Sequence, residues 1–485
     1  MKLTDQDIEA IARRIAGDLR GAPAPTNVGV PASAPAAGAA FAEGALGVFP
    51  TVNEAVAAAK AAFPVYSNLC LSKRGEVIES IRSVMRENAT ALAKAAADET
   101  GLGRFEDKIL KNQLVIEKTP GTEDLPPVAF TGDHGLTLIE PAPFGILGAI
   151  TPTTNPTSTI ICNAIGMLAA GNAVVFNVHP SAKQCSIQTV ALLNKAIVAA
   201  GGPANVVTCV AEPTIESAGQ LMKHPDVRVI VVTGGGGVVK AAMSSGKRAI
   251  CAGPGNPPVV VDETADIDKA AADIVLGASF DNNVICVEEK ETVVVASVAD
   301  KLIQAMLRNN AVLIDKSKIP AMEQVIFSKM AGPRGHAEVH RKCIGQNADK
   351  ILSPIGISAP STPRLAIVEV PEDHPLLWTE QMMPVMPICR VPNVDYAIDI
   401  ALQMEGFNYH TALMHSRNID KLSKMARQCN CSIFVKNGRS QAGLAFGGEG
   451  YTSFTIASPT GEGLTTPRSF SRSRRCTLVD HFRIV

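Results

Sequence analysis

The sequence predicts an α/β protein with two parallel sheets, preceded by a tethered helix. Short apolar runs alternate with helix-length segments from about residue 146 onward, and a second such series starts after Pro258. Residues 21–46, in contrast, are mostly Ala, Pro, Gly and small polar residues. Repeated strand-helix alternation covers both faces of a parallel sheet with helices. An Ala/Pro/Gly tract cannot bury enough surface to order itself and reads as a flexible linker.

In chain order, TDQDIEAIARRIAGDL sets Ile8, Ile11, Ala12, Ile15 and Leu19 on one helical face, with Thr4 and Asp7 in a capping-box-like start. Such a helix either folds back on the body or docks into a groove on another protein. Asp5, Asp7, Glu9 and Asp18 speak against a mitochondrial presequence. Val52 to Lys118 reads as Ala-rich amphipathic packing helices, one of them stopped at Gly101. Strand-like text follows, in which Ile146 to Ile150 is an apolar run ended by Thr-Pro. Then come a helix over Ser158–Ala170, the strand AVVFNV, a helix closed by glycine, the strand NVVTCV, and VRVIVVTGGGGVVKAAMSSG as strand, glycine turn and helix. After Pro258 the second series runs VVVD, a helix over Asp268–Ala278, ETVVVAS and a helix through Leu307. The chain is expected to rejoin the first sheet near SIFVKN. Leu464–Val485 alternates like a strand and is offered to a partner's sheet.

The totals restrict the function. At 485 residues, 46% of them hydrophobic, the chain has material for two or three domains. Lys and Arg total 45 against 46 Asp and Glu, so no basic field draws nucleic acid or acidic lipid, and a small-molecule partner is the default. The 11 cysteines are an odd number without the dense spacing of a secreted disulfide scaffold, which points to a reducing compartment. No secretory signal opens the chain. The longest apolar stretch, Ser158–Val178, is broken by Asn163 and Gly171-Asn172 and so reads as a helix plus a strand rather than a membrane span.

Four places could carry chemistry. Cys286, in ASFDNNVICVEEKETVVV, follows the loop formers Asp281, Asn282 and Asn283, and a loop at a strand end is where a nucleophile becomes accessible. A small buried hydrophobe is the ordinary role of a cysteine. Val232–Gly237 follows an apolar strand and opens a helix, where free amides favour a phosphate; a plain tight turn fits equally. Asn155, in ITPTTNPT, either caps a turn or points its amide into a cleft as an oxyanion donor. Cys429 and Cys431 lack a second pair at zinc-like spacing and read as structural, so no metal is expected.

In this order, ITPTTNPT, AVVFNVHPSAK, VTGGGG, CAGPGNPPVVVDETADID, FDNNVIC, TEQMMPVMPI and AFGGEG resemble the aldehyde dehydrogenase superfamily from about residue 47 to the C-terminus. The resemblance implies a variant Rossmann domain for a nicotinamide dinucleotide over 47–252 and 436–452, and a catalytic domain over 253–435. It also implies an oligomerisation arm over 130–145 and 453–485 that builds a homodimer or homotetramer. Cys286 would be the nucleophile, with the Asn155 amide and the Cys286 backbone N–H holding the oxyanion. Thr151, Pro152, Thr153, His179, Pro180, Thr233, Gly234 and Gly235 would line the cofactor, and Glu380 would bind the ribose beside the nicotinamide. Met382 stands where relatives usually carry an aromatic. His410 matches a histidine of CoA-acylating relatives that relays a proton, with a satisfied core histidine as the alternative. No acidic residue lies near His179–Lys183 to select NAD, so NADP is open beside NAD.

In hydrolytic members a glutamate activates water, and its position falls here on Ala252. Water, with a pKa near 15.7, needs such a base or a metal. A thiol, with a pKa near 8.5, is already a few per cent thiolate at neutral pH. Coenzyme A is therefore the expected acceptor. The TGEGLTTPRSFSRSRRCTLVDHFRIV segment resembles the CoA-acylating enzymes of bacterial microcompartments. By that resemblance residues 1–20 are an encapsulation helix for shell or core proteins, and the lumen is the expected location. FDNNVICVEEKE most resembles enzymes that process propanediol-derived aldehyde, and that resemblance implies propionaldehyde first and acetaldehyde second. A hydrolytic dehydrogenase and a non-catalytic shell-associated scaffold are the competing readings.

Overall fold

The computed structural model describes residues 46–358 and 363–485. The tethered helix of residues 4–19 and most of its linker lie outside the described residues. Among those described, no helix is long and apolar enough to cross a membrane.

Three helices follow the short first strand, Val48–Phe49, and precede all the other strands. Val52–Ser67 is started by Thr51, whose side chain accepts the Glu54 N–H, a local cap of the kind serine and threonine supply. Leu71–Thr100 buries Ile78, Ile81, Met85 and Leu92 on one face and ends where Gly101 turns left-handed at φ 66°. A residue without Cβ adopts that angle with little cost. Phe105–Lys118 follows and buries Lys108 and Lys111 beside Leu114 and Val115.

The first sheet has six parallel strands in the order β1-β6-β5-β4-β7-β8. These are β1 Val48–Phe49, β4 Ile146–Ile150, β5 Ala173–Asn177, β6 Val207–Val210, β7 Val227–Thr233 and β8 Arg248–Ala252. Every residue of β4, β5 and β6 is buried, as expected for strands covered on both faces. The chain winds outward from β4 through β5 to β6 and then returns to β7 on the other side of β4. That reversal makes β4/β7 the switch point, and a crevice opens at the carboxyl ends of such strands. The expected helix and strand pair in Ser158–Val178 is present as the helix Pro156–Ala169 and β5.

A second sheet of seven parallel strands has the order β11-β14-β15-β10-β9-β16-β17. Its members are β9 Pro258–Val261, β10 Glu291–Val295, β11 Ala311–Leu313, β14 Leu365–Glu369, β15 Val385–Val391, β16 Thr411–His415 and β17 Ile433–Lys436. One contiguous apolar core runs through both sheets.

The expectation for SIFVKN is corrected. That segment is β17, paired parallel to β16 with Thr411 opposite Ile433, so it is the edge of the second sheet. The helix Ile419–Cys429 is a short crossover that returns the chain beside the strand it has just left. Residues just after it stay there too: Ser440 donates from its backbone and hydroxyl to Glu289, two residues before β10 of the second sheet. The chain returns to the elements around the first sheet later. Thr452 N–H donates to Lys118 O at 3.0 Å, Thr455 Oγ1 to Asn163 Oδ1 at 2.9 Å, and Cys251 N–H to Thr460 Oγ1 at 3.0 Å.

The C-terminal strand pairs on one edge within its own chain. β20, Ser471–Val479, pairs antiparallel with β3, Gly135–Pro143, of its own chain, and β3 pairs in turn with β2, Val128–Gly132. The outer edge of β20 has no pairing strand among the described residues.

Candidate active site

The loop before Cys286 is an unusual piece of backbone. Asp281, Asn282 and Asn283 are all left-handed, at φ 43°, 57° and 66°. Asn and Asp tolerate that region better than other residues bearing a Cβ, yet three in succession must be held by their surroundings. Each one is. Asn283 Nδ2 donates to Ala278 O and Glu289 O, and Asn282 Nδ2 donates to Gly345 O and Asn347 Oδ1. Asp281 accepts the Arg104 N–H at 2.6 Å and Lys108 Nζ at 3.0 Å, and pairs with Lys111. Within 277–295 Cys286 alone is not buried. The loop formers are thus not themselves accessible; they aim the one residue that is.

The charged run after Cys286 is interior. Glu288, Glu289, Lys290 and Glu291 are fully buried. Lys290 Nζ donates to Asn283 O, Asn283 Oδ1 and Ile285 O, tying the last of the three left-handed residues to the residue before the cysteine. Glu288 accepts the Ile285 N–H and Gln441 Nε2, and burial holds its carboxyl well above the usual range. Although Cys286 keeps some accessible surface, the enclosure around it pushes the thiol up to about 12, with Glu380 adding to the rise and Lys290 opposing it.

Gly255, in CAGPGNPP, is where distant segments meet. A Cβ there would stand 2.8 Å from the Cys286 carbonyl oxygen and 2.9 Å from His410 Cγ, and its N–H donates to Glu380 Oε1 at 3.3 Å. Cys286, His410 and Glu380 therefore surround one glycine. His410 is fully buried, its Nδ1 within 2.8 Å of Thr411 Oγ1 and its Nε2 without a partner among the described residues. Burial lowers it to about 4, so the ring is neutral and Nε2 has a free hydrogen-bonding position. Ala252 is the last residue of β8, a buried methyl that can activate nothing.

Asn155 begins the helix after β4, yet its side chain does not cap that helix. Its Oδ1 accepts Lys111 Nζ at 2.5 Å and its Nδ2 donates to Thr154 Oγ1 at 3.1 Å. Thr151, Pro152 and Thr153 occupy the turn between, at the carboxyl end of β4.

Thr233 ends β7, and Gly234 and Gly235 lead into the helix Gly236–Met243 at the switch point. A Cβ at Gly235, Gly236 or Gly237 would meet nothing within 4 Å among the described residues, which leaves open space over that helix N-terminus. Free amides facing such a space fit the diphosphate of a dinucleotide. His179 and Pro180 follow β5 at the same end of the sheet, His179 Nδ1 accepting the Ser181 N–H. An acidic residue is present after all: Glu212, from the turn after β6, pairs with Lys183 at 2.6 Å. Met382 is partly buried with φ 51°. Lys111, Lys290 and Gly255 had no signal in a linear reading beyond a lysine inside an apolar helix face and one inside a strand-like run.

The chain matches the aldehyde dehydrogenase family over residues 24–464. It is 51% identical over 441 residues to the acetylating acetaldehyde dehydrogenase EutE of Salmonella typhimurium, covering 91% of this chain and 94% of that protein. A crystal structure of Rhodopseudomonas palustris propionaldehyde dehydrogenase, with CoA bound and its cysteine acylated, superposes with a TM-score of 0.86 at 50% identity, over 90% of this chain and 98% of that one. A propionaldehyde dehydrogenase from the fucose utilisation microcompartment of Clostridium phytofermentans gives 0.88 at 46%, over 91% and 100%.

Proposed function

The chain belongs to the aldehyde dehydrogenase family, and from that premise we propose Cys286 as the residue that carries the acyl group. The enzyme oxidises a short-chain aldehyde to its acyl-CoA with a nicotinamide dinucleotide as oxidant. The observation that carries the assignment of roles is the meeting of Cys286, His410 and Glu380 around Gly255.

Cys286 Sγ adds to the aldehyde carbonyl as its thiol proton passes through His410 Nε2 to solvent, giving a thiohemiacetal whose oxygen is held by Asn155 Nδ2 and the Cys286 N–H. When bound across Thr233–Gly235 and Glu380, the dinucleotide supplies the hydride acceptor that converts this adduct to a thioester. Thr151, Pro152, Thr153, His179 and Pro180 line the same end of the sheet. The thioester then awaits a thiol rather than water. Ala252 offers no base, and Glu288 is committed to the Ile285 N–H and Gln441 Nε2, with burial raising its carboxyl well above the usual range. His410 Nε2, neutral and unpartnered, takes the proton of the CoA thiol as its sulfur displaces Cys286.

The test is NADH formation from propionaldehyde and acetaldehyde with and without CoA, with products identified by mass spectrometry. Acyl-CoA in proportion to NADH is expected; rapid CoA-independent release of free acid would sink this reading. Propionaldehyde is the preferred substrate and acetaldehyde the second, and the ratio of their kcat/KM values at saturating CoA decides between them. Relatives of both specificities fall in the same range of identity, so the pocket and not the overall match sets this choice.

The microcompartment source of one relative supports a lumenal location, with residues 1–20 as the docking element. A reporter fused to those residues should enter shells; uniform cytosolic spread would count against it. The antiparallel arm with its free β20 edge supports a homodimer or homotetramer, which sedimentation would reveal.

A further inference from the structure

Lys111 is fully enclosed in the helix Phe105–Lys118, 2% exposed, and no step described so far uses it. Burying an ammonium is costly, and an apolar residue of similar volume would pack that helix face without the cost. The structure shows what surrounds the charge instead. Lys111 Nζ pairs with Asp281 of the loop before Cys286 and donates to Asn155 Oδ1 at 2.5 Å. It therefore joins the loop that aims the nucleophile to the residue read as oxyanion donor. Asp281 also pairs with Lys108 at 3.0 Å, so two cations share one carboxylate.

An amide presents oxygen on one side and two N–H donors on the other. A cation holding the oxygen fixes which side faces away from it, and polarises the amide so that its N–H groups become stronger donors. We propose that Lys111 is a positioning residue for the oxyanion site: anchored on Asp281, it holds the Asn155 carboxamide with its N–H groups toward the thiohemiacetal oxygen and transmits positive charge to it. This rests on the reading of Asn155 as the oxyanion donor. Lys111 acts through Asn155 and does not itself touch the reacting atoms.

The experiment measures the pre-steady-state NADH burst and the aldehyde KM with the full-length enzyme and propionaldehyde, for Asn155→Ala, Lys111→Met and the double variant. Asn155→Ala should slow the burst by roughly 10²–10³-fold, the usual effect of removing one oxyanion donor. Lys111→Met should slow it by about 10-fold or more with KM little changed, and should slow it no further once Asn155 is alanine. Lys111→Gln, which keeps a neutral donor, is the second variant should Lys111→Met not fold, and the same lack of additivity is required of it. A wild-type burst in the folded lysine variants, or an equal loss with and without Asn155, overturns the proposal while leaving Asn155 in its role. An unchanged burst in Asn155→Ala removes both readings together.

Discussion

At the scale of single residues, the environment of Cys286 is dominated by charges taken out of water. Glu291 is the extreme case: it opens β10 fully buried, neither carboxyl oxygen has a partner among the described residues, and Glu405 lies nearby. Burial and then Glu405 raise its pKa well above 4.5. Below about pH 4.5 both folded and unfolded chains hold this proton. Above it the unfolded chain releases the proton while the folded one keeps it, so this group lowers stability as pH rises toward its folded pKa. Glu291→Gln is neutral at every pH. Its melting temperature relative to wild type should therefore rise between pH 5 and pH 8; a difference that stays flat with pH would refute the buried neutral acid. His410 has the opposite sense. Its pKa of about 4 lies below the usual 6.5, so its stabilising effect is lost as pH falls through that interval.

At the scale of elements, the site depends on close backbone approach more than on any one side chain. The stretch CAGPGNPP joins β8 to β9, one strand of each sheet, and Gly255 within it lies against the Cys286 carbonyl and the His410 ring. Gly255→Ala would place a methyl 2.8 Å from that carbonyl, so the loop must shift. Turnover should fall by roughly 10²-fold, as small misplacements of reacting groups do, while the far-UV CD spectrum is unchanged. Activity near wild type would show that the loop yields easily. The motif was legible in the sequence as a place where a base was missing, at Ala252. That a glycine three residues on would be the hub was not, because nothing in a linear text records which side chains approach an atom that is not there.

At the scale of the whole molecule, the last segment ties the arm to the body. Phe470 is 2% exposed, its ring beside Gly166 of the helix after β4, and its carbonyl accepts Asn172 Nδ2 at 2.8 Å. Phe470→Ala should cost about 3–5 kcal/mol, the usual range for an emptied aromatic site, read as a lower urea midpoint with unchanged slope. A cost below about 1 kcal/mol would mean that β20 is held by its pairing with β3 alone. Strand and helix alternation, the glycine stop at Gly101 and the order of Asn155, Thr233 and Cys286 were determined by the sequence itself, because burial of apolar runs and left-handed glycine turns are local free energies. Tertiary structure decided that SIFVKN stays with the second sheet and that Glu288–Glu291 point inward. It also decided that Lys111 meets both Asn155 and Asp281, and that Cys286, His410 and Glu380 share one glycine. The reason is physical: those contacts join residues far apart in the chain, and only the crossovers between parallel strands bring them within hydrogen-bonding reach.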